Sequence, residues 1–177
     1  MTLSLREPRT LDELLNYRLL RLFALGGAPV IRLLEGRYGI ARREWRLLAL
    51  LATQGGMSPS ALAAAAQLDR PRTSRALGSL VSKGLATRQT TQGDARRATV
   101  ALSVKGQQLY AELFPQIAAI NARLVSVLDE AGAQALDRAL SCLTEHARVL
   151  NEELARDVRA DRRAGGSRRV RADDSSA

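Results

Sequence analysis

The sequence predicts a mainly α-helical chain with one small β-hairpin, set in a compact lobe between long helices. Three observations predict it. Apolar residues recur at helical spacing over most of the chain, as in Leu109, Leu113, Ile117, Ile120 and Leu124. Between Met57 and Ser103 that pattern gives way to a short helix, a tight turn, a second helix rich in arginine, and two strands around a Gln-Gly-Asp turn. Beyond it, Leu136, Leu140, Leu143, Ala147, Leu150 and Leu154 step by four and three, the spacing of a coiled-coil seam.

Residues 1–9 lack periodicity and read as a flexible arm. Thr10 is placed to cap a first helix whose stripe is Leu11, Leu14, Leu15, Leu19, Leu22 and Leu25, with Gly26, Gly27 and Pro29 expected to bend or interrupt it. Arg42–Thr53 is apolar nearly all round through Trp45, Leu47, Leu48, Leu50 and Leu51, which predicts burial. Ser58-Pro59 opens the short alanine-rich helix, since a hydroxyl can cap free N–H groups and proline needs no donor there. Asp69 is a second N-cap, with Pro71 still inside the first turn.

In the helix that follows, 69–83, Leu77, Leu80 and Val81 are expected to face inward, while Arg70, Arg72, Thr73, Ser74 and Arg75 crowd the N-terminal half and mostly resist burial. Lys83-Gly84 reads as its stop. Leu85–Thr90 and Ala98–Leu102 read as strands, with Val100 and Leu102 alternating against Thr99 and Ala101. From Arg70 to Arg97 the bases Arg70, Arg72, Arg75, Lys83, Arg88, Arg96 and Arg97 face a single acid, Asp94. A helix of this size fits the major groove of DNA, and its N-terminal residues reach base edges. A carboxylate beside Arg96 and Arg97 can hold a guanidinium extended for the minor groove.

Ser103 is expected to cap a long helix that contains Pro115, a potential bend, and Asp129–Ala133 to break it from the last one. One chain cannot easily cover the stripes of both terminal helices, so a second copy is the natural partner; the alternative is a monomer whose helices fold back on each other. From Arg156 the pattern dissolves into Arg, Asp, Gly and Ser, the composition of a disordered tail. The expected division is therefore an arm at 1–9, a helical dimerisation region at 10–38 and 103–155, a lobe at 39–102 and a basic tail at 156–177.

Apolar content of 46% suffices for a core, which aromatics at 3% leave to Leu, Val and Ala. The net charge of +9 points to a polyanion, and nucleic acid is the obvious one. Cys142 and His146 stand alone of their kinds, so Cys and His by themselves cannot build a structural zinc site or a disulfide. They lie one helical turn apart and read as a packed thiol and a surface imidazole. No phosphate loop, framed carboxylate pair or Ser-His constellation suggests an enzyme. The chain shows no apolar run long enough for a membrane span and no signal-peptide stretch, so the expectation is a cytoplasmic protein without cofactor or metal.

The stretch GLATRQTTQGDARRATVALSVKG resembles the wing of the multiple-antibiotic-resistance regulator (MarR) family: a Gly-Leu-x-x-Arg strand, then Asp-x-Arg, then Val-x-Leu-Thr and a glycine. Gly84, Leu85, Arg88, Asp94, Arg96, Val100, Leu102, Ser103 and Gly106 hold those places, with Ser103 replacing the usual threonine. Tyr38-Gly39-Ile40 and Glu44–Leu48 also resemble the family's entry into its second helix, and the resemblance spans roughly residues 11 to 155. It implies a winged helix-turn-helix regulator in which helix 69–83 reads the major groove and Arg96 probes the minor groove. It also implies a homodimer of interlocked terminal helices, whose two reading helices, about 34 Å apart, match a palindromic operator.

Relatives often bind small aromatic acids between lobe and dimer helices, and Trp45 near Arg46, Arg18 or Arg21 has the chemistry for that, stacking plus a forked carboxylate contact. Glu35 or Glu44 is the alternative partner for those arginines. Overall the reading is a ligand-released repressor; the alternative is a non-inducible architectural nucleic-acid-binding protein.

Overall fold

The computed structural model describes residues 5–91 and 94–157; the side chains of residues 90–97 lie outside that description. The tip of the expected turn, Gln92-Gly93, and the basic tail from residue 158 onward also lie outside the described residues. A 3₁₀ turn at Leu11–Glu13 leads into α1 (Leu15–Ile31) and a π-helical turn at Arg32–Arg37. Then come α2 (Arg42–Gln54), α3 (Pro59–Ala65), α4 (Arg70–Ser82), β1 (Ala86–Thr91), β2 (Asp94–Leu102), α5 (Val104–Val125) and α6 (Glu130–Asp157). The chain is thus mainly α with one antiparallel hairpin.

The start of the chain departs from expectation. Thr10 makes no side-chain cap, and α1 begins only after the extended Leu14. Gly26, Gly27 and Pro29 do not interrupt α1. Gly26 serves close packing instead: a Cβ there would stand 3.0 Å from Cδ2 of Leu124 on α5.

The lobe follows its local chemistry. Ser58 Oγ accepts the Ala61 N–H at 3.2 Å, and Asp69 Oδ1 accepts the Arg72 N–H at 2.7 Å, so both short helices are capped as their sequences demand. Gly84 closes α4 at φ +69, a conformation that costs glycine little. The hairpin pairs Ala86 with Leu102 through Thr90 with Ala98, and its register shifts between Thr90 and Thr91. Met57 adds a short third rung: its N–H donates to the Val100 carbonyl at 2.9 Å and its carbonyl accepts in return at 2.8 Å. Ser103 Oγ caps α5 by accepting the Gly106 N–H at 3.1 Å. The break before α6 is shorter than Asp129–Ala133, because Asp129 Oδ1 already caps α6 through the Gly132 N–H at 2.7 Å. α5 itself runs unbroken through Pro115.

The core lies almost wholly in the lobe. Ile40, Leu47, Leu48, Leu62, Leu80 and Val100 are fully buried, joined by Leu34 from the π-helical turn and Leu113 from α5. Val81, expected inside, is 40% exposed, because the inward stripe of α4 runs through Ala76, Leu77 and Leu80. The long helices are covered far less. α1 buries no residue, and α6 buries none and packs extensively on no other element, contrary to a monomer closed by its own terminal helices. Among the described residues no helix is long and apolar enough to cross a membrane.

Candidate nucleic-acid interface

α4 presents its N-terminal half outward. Arg70, Arg72, Ser74 and Arg75 are exposed, and Arg72 is oriented by the buried Asp69 carboxylate, Nε to Oδ2 at 3.4 Å. Arg75 Nε donates to the Pro71 carbonyl at 3.3 Å. Thr73 is a correction: it is 2% exposed, and its hydroxyl donates to the Asp69 carbonyl at 3.0 Å, so it faces the core and not the groove. Helical geometry decides this, since Thr73 shares the face of Ala76, Leu77 and Leu80 while its neighbours do not.

A half-buried ion pair fixes α4 against α2. Lys83 Nζ donates to Glu44 Oε2 at 2.7 Å, to Oε1 at 2.9 Å and to the Gly39 carbonyl at 2.8 Å. Glu44 also accepts the Ala41 N–H at 2.6 Å, closing the first turn of α2. Burial works to raise the Glu44 carboxyl, but hydrogen bonds from Lys83, Ser79 and Ala41, with the Lys83 charge, outweigh it and hold it below the ordinary value. A depressed folded value means stability that is present above the unfolded carboxyl range and lost as pH falls through the folded one. Replacing Lys83 by Met is expected to destabilise the lobe by about 2 kcal/mol, less than the roughly 3–5 kcal/mol of a dry pair because a third of the lysine meets solvent. Urea unfolding at neutral pH reads this, and the Glu44→Gln protein should lose part of the wild-type decline in acid.

The hairpin stands beside α4, with which β1 packs. Arg88 on β1 is exposed and opposite Val100. Asp94, Arg96 and Arg97 lie in β2, and their side chains are outside the described residues.

The four candidate ligand residues do not converge. Arg21 pairs with Asp12 at 3.1 Å on the surface, and Arg18 is exposed on the same helix. Arg46 Nη1 donates to the Ala66 carbonyl at 3.0 Å, tying α2 to the end of α3; neither Glu35 nor Glu44 holds it. Trp45 is half-buried and stacks on Tyr110 of α5, centroids 5.8 Å apart, with Phe114 beyond at 5.4 Å from Tyr110. Arg42, one turn before Trp45 on α2, holds its guanidinium 4.2 Å from the centre of the Phe23 ring on α1. Sequence reasoning missed Arg42, although its i, i+3 spacing to Trp45 was the available signal. At the same junction the Tyr38 hydroxyl donates to Glu112 Oε1 and accepts from Gln116 Nε2, both at 2.7 Å. Cys142 and His146 are exposed on α6.

A capped helix-turn-helix with an arginine-crowned second helix and an adjoining hairpin defines a winged helix-turn-helix protein. The family model described as MarR family matches residues 38–97, which span that unit up to the hairpin. Over these residues the chain is similar to the MarR family of transcriptional regulators. A MarR-family regulator from Silicibacter pomeroyi is 28% identical, with 80% of this chain and 94% of that one aligned at a TM-score of 0.67. NadR solved with 4-hydroxyphenylacetate is 25% identical over 73% of this chain and 92% of its own, at 0.62. A MarR/EmrR-family regulator from Acinetobacter sp. ADP1 shares the fold at a TM-score of 0.70 and 20% identity, over 78% of this chain and 97% of its own. No curated protein sequence matches the chain significantly.

Proposed function

We propose that the chain acts as a homodimeric, sequence-specific repressor that leaves its operator when a small aromatic acid binds. The observation that carries the DNA half is the outward crown of Arg70, Arg72, Ser74 and Arg75 on a helix pinned to the lobe by Lys83 and Glu44. Phosphate neutralisation supplies most of the affinity, while α4 and Arg96 supply the selection of sequence. Dimerisation is supported by the leucine face of α6, with Leu136, Leu140, Leu143 and Leu150 each about two-fifths exposed in one protomer. The domain division follows: lobe at 39–102, dimer helices at 10–38 and 103–155.

For the effector, the aromatic layer of Trp45, Tyr110 and Phe114 offers stacking, and Arg42, which covers Phe23, offers a fork for a carboxylate. Together these contacts join the lobe to α1 and α5. A ligand there that prefers one lobe orientation shifts the spacing of the reading helices, and no chemical step is needed. NadR, with its bound 4-hydroxyphenylacetate, is the precedent among similar structures.

Footprinting on DNA flanking the protein's own gene, with a panel of aromatic acids added, tests both halves. A protected palindrome that one of these acids clears is expected. Arg96→Ala should weaken that binding by about 1–3 kcal/mol per base contact while the dimer persists. Equal affinity for the protected site and for random duplex would favour the architectural alternative.

A further inference from the structure

The first turn of α2 sends two arginines in different directions. Arg42 leans on Phe23 of α1, whereas Arg43 lines an open pocket of about 250 Å³ with Arg72, Arg75, Ala76, Ala41 and Glu44. Arg43 is exposed and makes no hydrogen bond or ion pair among the described residues. Arg72 and Arg75 are each tethered through Nε, one to Asp69 and one to the Pro71 carbonyl. Their terminal amines carry no other bond among the described residues. The single carboxylate in the lining, Glu44, is 3% exposed and already bound by Lys83 and the Ala41 N–H.

We infer that Arg43, Arg72 and Arg75 frame a receptor for one backbone phosphodiester of the bound DNA, with Arg43 as a contact outside the α4 and hairpin set. The inference rests on the DNA-binding reading above. Three guanidinium groups around one opening match a tetrahedral dianionic or monoanionic oxyanion, whose oxygens accept forked N–H pairs. The lining holds no aromatic ring, and its apolar residues are two alanines, so it offers an aromatic acid no ring to stack on. Its position selects the source of the phosphate. Two of its arginines belong to the groove-reading helix, and the rim of any groove that admits that helix is a sugar–phosphate strand. Arg43 therefore meets the strand bordering the groove, and the contact positions α4 without reading sequence.

The test is the salt dependence of binding by the full-length protein, wild type and Arg43→Ala, on operator and on random duplex. Removing one phosphate interaction should flatten the slope of log affinity against log salt by about 0.9, hence about 1.8 for a dimer. Affinity should fall about tenfold or more on both duplexes, with their ratio unchanged, and Arg43→Lys should recover part of the slope. An Arg43→Ala protein with wild-type slope and affinity overturns the inference, provided that wild type binds duplex. Wild type that binds no duplex overturns the DNA-binding reading itself, and this inference with it. Titration of the DNA-free protein with inorganic phosphate separates the sources. Phosphate binding abolished in Arg43→Ala with an unaltered DNA slope makes the pocket a free-anion receptor and refutes the backbone assignment. Thermal unfolding of the exposed-site variants should match wild type, which ties any weakening to the phosphate itself.

Discussion

Replacing Leu143 and Leu150 together by Asp is expected to split the protein into monomers and to weaken operator binding by roughly 10²–10⁴-fold, the advantage of two linked attachments over one. Both leucines are more than two-fifths exposed in the isolated chain, on a helix that packs extensively on nothing else in it. Each leucine that a partner covers contributes about 1.5–3 kcal/mol, and two per protomer are removed. The carboxylates add a desolvation cost at the seam. The lobe should keep its fold, since no element of it packs extensively on α6. Sedimentation at micromolar concentration reads the outcome; a double variant still dimeric would refute the proposed seam.

Replacing Gly106 by Val is expected to cost about 3 kcal/mol or more, or to prevent folding. Any Cβ at this place would fall on the Leu85 carbonyl oxygen, and Cδ2 of Leu102 stands 3.3 Å away. The obstacle is backbone and cannot swing aside. That carbonyl also accepts the Ser103 N–H at 3.1 Å, so moving it disturbs the joint where β1, β2 and α5 meet. Because α5 links the wing to the helical layer, the damage should reach both. Thermal denaturation compares the variant with wild type, and a midpoint lowered by less than about 2 °C would contradict the close contact.

Local chemistry was legible through the lobe, though not at Thr10, which makes no cap. The caps at Ser58, Asp69 and Ser103 and the glycine stop at Gly84 stand where expected, because each depends on bonds to near neighbours, whereas β2 starts at Asp94, four residues before the expected Ala98. Thr73 and Val81 were misplaced for different reasons. Thr73 is polar but stands in line with Ala76, Leu77 and Leu80, whereas Val81 is apolar but lies at the margin of that stripe. Gly26 does not interrupt α1, because a glycine that weakens an isolated helix also lets a packed one approach its neighbour, and only Leu124 of α5 shows which use applies.

The sequence by itself determined the class of protein, through helical periodicity, cap residues and the predominantly positive charge from Arg70 to Arg97. Which arginine serves which site was decided by tertiary structure alone. Arg46 spans α2 to α3, Arg42 covers Phe23 and Arg43 opens beside α4, although the three stand within five consecutive residues. Successive helical residues point about 100° apart, so their partners come from different elements, and no spacing rule names an element that the chain brings in from far along its length.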